Sequence, residues 1–244
     1  MQINPLSKIL VGRRAKRFFL RHRLHRLVDP FSDGIMKLAY LSRLSKWCAD
    51  QGTPQWNDRS DPEYRDSKRY DLFRHVMERE GLHQGIDYLE FGVGRGHSFD
   101  WWVEHNTNSS SKFVGFDTFT GLPEKWEYLN EGAYSAEGKF PAKSDTRCSF
   151  ETGLFQETLD RFLQTFPCDR RTVVHLDADL YSSTLFVLSR MAPKLKPGDI
   201  LFFDEFGVPT HEFRAFTDFV WAYRITYKLL GAVNNYMQVA IKIL

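Results

Sequence analysis

Two apolar runs in this chain end in acids. The first, HLDADLYSST (His175–Thr184), carries Asp177 and Asp179; the second, GDILFFDEF (Gly198–Phe206), closes on Asp204 and Glu205. Side chains alternate along a strand, so His175, Asp177 and Asp179 fall to one side. If the two runs lie next to each other, the four carboxylates converge at one sheet edge. Like charges that close raise each other's pKa unless a cation neutralises them, and an oxygen-ligated divalent ion such as Mg²⁺ accounts for the set. The alternative is four separate solvated acids that cap the helices following each strand. His175 would either support the acids or act as a base itself, although a lone strand histidine is more often structural.

A second chemical signal lies upstream. EFGVGRG (Glu90–Gly96) closes another apolar run and precedes an aromatic segment with Phe99, Trp101 and Trp102. Three glycines permit a tight turn and a close approach of backbone N–H groups to a ligand. A dinucleotide fingerprint places its third glycine where His97 stands, whereas here it comes one residue early, at Gly96. The ExGxGxG form instead resembles motif I of class I S-adenosylmethionine-dependent methyltransferases. The next run ends in GFDTFTGLPE (Gly115–Glu124), where Asp117 is placed to accept hydrogen bonds from two ribose hydroxyls, or else to serve as a turn or N-cap aspartate.

These residues need a scaffold that brings strand ends together. Apolar runs at Ile86–Phe91, Lys112–Phe116, Thr172–Leu176 and Ile200–Phe203 alternate with amphipathic segments, the pattern of a doubly wound parallel sheet. Leu159, Phe162, Leu163 and Phe166 repeat at helical spacing, as do Phe216, Phe219, Val220 and Tyr223. Ile225–Leu230 and Tyr236–Ile243 leave no room for a crossover and predict a C-terminal antiparallel hairpin. Earlier helices are predicted over Asp33–Asp50, ended by Gly52-Thr53-Pro54, and over Ser67–Glu80, ended by Gly81. Residues 51–65 between them read as a linker. The long connection 118–147, with Trp126, Tyr128, Tyr134 and Phe140, reads as a lid or binding loop, with a short helix expected over Glu124–Leu129.

The chain has 244 residues, 42% hydrophobic and 26% charged, which excludes a disordered or fibrous class. No apolar stretch approaches the roughly 20 residues of a spanning helix. Three cysteines, Cys48, Cys148 and Cys168, in no CxxC spacing fit neither a disulfide framework nor a thiolate zinc site. The apolar runs near the start are too interrupted by arginine for a signal-peptide core, and the expected location is cytoplasmic. Eight of the 33 basic residues precede the first acid, Asp29, which leaves 25 against 31 acids, a net of −6 on the remainder. Within residues 1–28, Leu10 and Phe18 accompany Leu20, Leu24, Leu27 and Val28, and those last four fall at helical spacing. A basic amphipathic helix of this kind suits an anionic membrane surface, or else docks on the acidic body or on another subunit of a homo-oligomer.

Taken in order, DYLEFGVGRG, GFDTFTGLPE, GLFQETL, VVHLDADLYSSTLFVL and GDILFFDEF resemble the macrocin O-methyltransferase family, class I enzymes that methylate sugar hydroxyls of natural products. The resemblance covers roughly residues 68–244. It implies a Rossmann-like, mainly parallel seven-stranded sheet with a C-terminal antiparallel hairpin, preceded by N-terminal helices. The domains are then a basic arm (1–30), a helical cap and linker (31–66) and the methyltransferase domain (67–244). The resemblance further implies that Glu90, Gly92, Gly94 and Gly96 hold the methionine part of S-adenosylmethionine and Asp117 its ribose, with Thr118 and Phe119 beside the adenosine. Asp177, Asp204 and Glu205 would bind Mg²⁺, and Asp179 would be the general base. Family members usually carry a second aspartate where this chain has Glu205, one methylene longer. A sugar or small-molecule hydroxyl, with a vicinal diol favoured, is the implied acceptor. Three other readings remain open at this level. Asp177-Ala178-Asp179 is also the DxD string of metal-dependent glycosyltransferases, and a methyltransferase-like fold can serve as a non-catalytic module at a membrane. Nucleic-acid methylation is disfavoured by the acidic body and by the lack of a recognised nucleic-acid module.

Overall fold

A computed structural model describes residues 12–54, 56–58, 61, 63–138 and 144–244. The chain divides into two units, Met1–Arg43 and Leu44–Leu244. In the first, α1 (Arg13–Arg21) carries no acid in its first turn and no buried residue. The single amphipathic helix expected through Leu20, Leu24, Leu27 and Val28 is broken instead. Arg23 takes a left-handed φ of 49°, its N–H donates to Leu20 O, and Leu24 N–H donates to Phe19 O. This is the Schellman closure that usually recruits glycine. Leu27 and Val28 therefore belong to α2 (His25–Gln51), and the division between the units falls inside that helix. Lys8 and Leu10 lie outside the described residues.

The second unit is built on an eight-stranded sheet in the order β1-β7-β8-β6-β5-β2-β3-β4. Its strands are β1 (Trp56–Asn57), β2 (Ile86–Phe91), β3 (Lys112–Asp117), β4 (Cys148–Thr152), β5 (Arg171–Leu176), β6 (Ile200–Phe203), β7 (Tyr227–Val233) and β8 (Gln238–Ile243). The helices are α3 (Lys68–Glu80), α4 (His97–His105), α5 (Phe155–Thr165), α6 (Tyr181–Met191) and α7 (Glu212–Tyr223). Strands β2 to β6 pair in parallel, while β8 inserts antiparallel between β6 and β7. Every residue of β2 is buried, as expected of a strand covered on both faces. The predicted hairpin is present, with its turn at Asn234–Met237. No described helix is long and apolar enough to cross a membrane. None of Cys48, Cys148 and Cys168 forms a disulfide.

The eighth strand corrects the reading of residues 51–65 as a linker. Trp56 and Asn57 pair in parallel with Gly231 and Ala232, and Trp56 stacks on His75 at 4.5 Å. The buried Lys68 ammonium donates to Asp58 Oδ2 at 2.7 Å and to Glu63 O at 2.6 Å. Asn234 exchanges hydrogen bonds with the Arg65 backbone at 3.1 and 3.0 Å. A charged group desolvated this far needs such partners, and together they pin the segment to the sheet. Trp47, at the end of α2, sits among Phe206, Phe213, Phe216 and Tyr236, and its Nε1–H donates to Tyr227 Oη at 2.8 Å.

Glu124–Leu129 is also not the expected helix. Trp126 and Leu129 exchange backbone hydrogen bonds around Glu127, whose φ is 48°. The Trp126 ring is buried against Tyr134 and His211, and this packing outweighs local helix propensity. Phe140 lies outside the described residues.

Candidate active site

In an open α/β sheet, ligands bind beyond the carboxyl ends of the strands, where the strand order reverses. Here β2 lies between β3 and β5, and the glycine turn leaves β2 at that reversal. A cavity of about 590 Å³ opens there. Its lining includes Glu90, Gly92, Gly94, Asp117 and Thr118, together with Asp177, Asp179, Asp204 and Glu205.

The turn is shaped by close approach. Gly92 has a φ of 96°, and a Cβ there would stand 1.8 Å from the carbonyl oxygen of Asp177. Gly94 has a φ of 52° and nothing within 4 Å of a Cβ position, so the space beside it is open. Its N–H donates to Asp117 Oδ2 at 2.7 Å, while Phe119 N–H donates to Oδ1 at 2.6 Å. Asp117 thus does act as a turn aspartate, yet each of its oxygens keeps a further acceptor lone pair for a ligand hydroxyl. The cradle fits a nucleoside cofactor. Gly96 stands behind the cavity as the left-handed N-cap of α4. Phe119 departs from its expected place beside an adenosine. Its ring is buried in the core facing Phe150, and it does not line the cavity.

Glu90 is fully buried beneath the turn. Its Oε2 accepts a hydrogen bond from Tyr88 Oη, which also meets His175 Nδ1 at 2.9 Å. His175 Nδ1 lies 3.7 Å from the same carboxylate. Burial pushes the Glu90 carboxyl up, and the His175 and Tyr88 contacts pull against it.

The acids converge, but not through alternation along a strand, because β5 ends at Leu176 and Asp177 and Asp179 lie in the loop beyond it. One potential ligand atom from each of His175, Asp177 and Asp204 lies within 4.8 Å of the others, and the same holds for Asp177, Asp179 and Glu205. Burial, then the charges of Asp204 and Asp179, raises Asp177 well above the carboxylate range. Burial likewise pushes Asp179 up to about 7, against a hydrogen bond with the Glu205 carboxyl. Asp179 holds its place through a left-handed φ of 58°, a conformation that Asp tolerates better than most residues. Among the described residues, the buried Asp204 Oδ1 and Glu205 Oε2 have no hydrogen-bond partner. Orphaned carboxylate oxygens beside other acids are the donor set of a hard divalent cation, so the residues present fit Mg²⁺.

Two charged residues of the site escaped the reading of the sequence. Arg69 of α3 reaches into the acids, with Nη1 2.9 Å from Asp204 Oδ2 and 3.9 Å from Asp177 Oδ2. Glu212, at the start of α7, is fully buried and accepts the Glu205 N–H at 2.9 Å. Burial raises the Glu212 carboxyl well above its usual range, reinforced by Asp204 and Asp179. Tyr64 and Tyr134 also line the cavity. Burial and a hydrogen bond with Asp66 push the Tyr64 phenol up to about 12.

Comparison with known proteins agrees with this geometry. A model described as a methyltransferase domain matches residues 89–206. The chain is 32% identical over 178 residues to the mycinamicin III 3''-O-methyltransferase of Micromonospora griseorubida, covering 60% of this chain and 68% of that protein. It is 34% identical over 190 residues to the 8-demethyl-8-(2,3-dimethoxy-alpha-L-rhamnosyl)-tetracenomycin-C 4'-O-methyltransferase of Streptomyces olivaceus, covering 69% of each. Among solved structures, the calicheamicin methyltransferase CalS11 superposes with a TM-score of 0.55 at 23% identity, over 73% of this chain and 80% of that one. The O-methyltransferase NovP gives a TM-score of 0.55 at 21% identity, over 72% of this chain and 79% of that one. The two structures share the fold described above.

Proposed function

Since the chain belongs to the class I S-adenosylmethionine-dependent O-methyltransferases, we propose that it methylates a hydroxyl of a sugar or sugar-bearing small molecule with Mg²⁺ as a resident ion. The observation that carries this reading is the single cavity in which the glycine turn and Asp117 face the four acids. The tetracenomycin relative has a rhamnosyl acceptor in its name, which supports a sugar as the substrate class. Membership of this family removes the glycosyltransferase reading of the Asp177-Ala178-Asp179 string.

The division of labour follows from position. Gly92 and Gly94 keep the turn free of side chains where the methionine part is held, and Asp117 accepts from the ribose hydroxyls. Asp177, Asp204 and Glu205 would hold the ion. Bound S-adenosylmethionine supplies an electrophilic methyl group, and a bound Mg²⁺ supplies a Lewis acid that lowers the pKa of an alcohol. Asp179 takes the proton from the acceptor hydroxyl, buried close enough to the other acids to be held in one geometry. His175, tied to Tyr88 and Glu90, keeps the floor of the site rigid behind Asp177 and Asp204. Tyr64 and Tyr134 offer aromatic faces to the acceptor ring.

The test is methyl transfer to a panel of glycosylated natural products and nucleotide-linked deoxysugars, with Mg²⁺ and with chelator. Activity is expected with Mg²⁺, with loss in chelator and recovery on adding the ion back. Full activity in chelator removes the ion from the reading and leaves the methyltransferase assignment standing.

For α1 the favoured partner is an anionic lipid surface. Arg13, Arg14, Lys16, Arg17 and Arg21 occupy one broad face, and Phe18 and Phe19 lie on the other, both exposed. Each cation near such a surface contributes about 1 kcal/mol at low screening. Removing residues 1–23 is expected to release the protein from phosphatidylserine vesicles in flotation while methyl transfer to a soluble acceptor persists. Equal flotation of the shortened chain sinks the lipid role.

A further inference from the structure

Arg69 is a cation placed where a metal ion is expected. Its side chain is 18% exposed, and the Asp204 carboxylate that it meets at 2.9 Å is 2% exposed. Asp177, at 3.9 Å, is the second acid it approaches. Its grip is incomplete, since the buried Nε has no hydrogen-bond partner. A third carboxylate waits on the outer side: Arg69 Nη2 lies 3.9 Å from Asp66 Oδ1, and Asp66 is 76% exposed. The guanidinium thus stands between a buried acid cluster and a solvated aspartate three residues earlier on the same helix end.

Resting on the Mg²⁺ reading given above, we propose that Arg69 is a built-in counter-cation that holds the acid cluster together until a divalent ion displaces it toward Asp66. Four carboxylates gathered in a poorly solvated corner repel one another, and without a positive charge the loops after β5 and β6 would be driven apart. A guanidinium stays charged even when desolvated, so Arg69 brings a permanent positive charge to Asp204 and Asp177. A divalent ion and a guanidinium cannot share Asp177 and Asp204 at these distances without mutual repulsion, so the binding of one expels the other. Asp66 supplies the expelled group with a partner in water. The site is thereby pre-organised before the ion arrives, and part of the ion's affinity is spent on displacing the arm.

The experiment is a Mn²⁺ titration of the full chain followed by electron paramagnetic resonance, without cofactor or acceptor, on wild type, Arg69→Met, Arg69→Lys and Asp66→Asn. Arg69→Met is expected to bind Mn²⁺ about tenfold more tightly or better, with Arg69→Lys in between, because the competing charge is gone or less well placed. In chelator Arg69→Met should melt below wild type, and Mn²⁺ should raise its melting temperature by more. If Arg69→Met does not fold, Asp66→Asn carries the test, with Mn²⁺ affinity expected to fall about threefold as the outward partner is lost. Equal or weaker Mn²⁺ binding by a folded Arg69→Met overturns the proposal while the ion reading stands. In a separate calorimetric titration, loss of S-adenosylmethionine affinity in Arg69→Met with unchanged Mn²⁺ affinity also overturns it and makes Arg69 a cofactor clamp. Absence of Mn²⁺ binding in every variant, wild type included, defeats the ion reading and the proposal together.

Discussion

Asp179→Asn is expected to lower turnover by about 10²- to 10⁴-fold while S-adenosylmethionine binds as in wild type. Asparagine has nearly the same shape and tolerates the left-handed backbone that position 179 adopts, so the fold should persist. What it lacks is a basic oxygen able to take a proton from the acceptor hydroxyl. Removing a charge from a group of repelling acids should stabilise the protein slightly, which separates the catalytic loss from any folding defect. Single-turnover methyl transfer beside calorimetric cofactor binding decides the matter. Unchanged turnover excludes Asp179 as the base, and weakened cofactor binding with normal turnover reassigns it to the cofactor.

The second large effect contrasts two glycines of the same turn, Gly92 and Gly94. In Gly92→Ala the new methyl meets the backbone oxygen of Asp177 at 1.8 Å, on a φ of 96° that L residues rarely adopt. Backbone cannot swing aside as a side chain can. The expected cost is about 3 kcal/mol or more, a fall of roughly 10 °C in melting temperature for a domain of this size. Because Asp177 must move with the turn, cofactor affinity and ion affinity fall together. Gly94→Ala should behave otherwise, since its φ of 52° lies in the left-handed well and the space beside it is open. Strain there is about 1 kcal/mol, the melting temperature moves little, and the methyl group occupies room the cofactor needs. Cofactor affinity should drop about tenfold, with the fold intact. Similar melting curves for the two variants contradict the close packing of the β2 turn against β5.

Strands β2, β3, β5 and β6 could be read because apolar runs are local signals, and Glu90–Gly96 marks the turn through glycine spacing alone, whereas β4 (Cys148–Thr152), a half-exposed strand with no apolar run, and the order of the strands in the sheet could not. The acids were legible as residues that follow apolar runs, but alternation is not what gathers them, since β5 ends at Leu176 and Asp179 takes a left-handed φ of 58° in the loop beyond it. What escaped is instructive. Arg69 lies three and four residues before Leu72 and Phe73, in line with the buried stripe of α3, and Glu212 lies four before Phe216 on α7. A charge in line with an apolar stripe is a signal of a buried partner, and both of these reach the acid cluster. Trp56–Asn57 had no local signature, because a two-residue strand is defined by its neighbour and not by its own pattern. Residues 22–24 were lost to the helix pattern because a left-handed arginine carries no compositional mark.

The antiparallel insertion of β8 has a meaning in time. Strand β6, which Asp204 follows, is bordered by β5 on one side and by β8 on the other, and β7 is joined to the rest of the parallel sheet through β8. During synthesis β8 is the last of the strands to emerge. Until then β6 offers an open edge of unpaired backbone, and β7 can pair with β1 but not with the parallel strands. The side of β6 away from β5 is therefore the last part of the site's scaffold to be covered. A chaperone or a nascent-chain partner that shields an exposed strand would find its target in the Ile200–Phe203 edge during that interval.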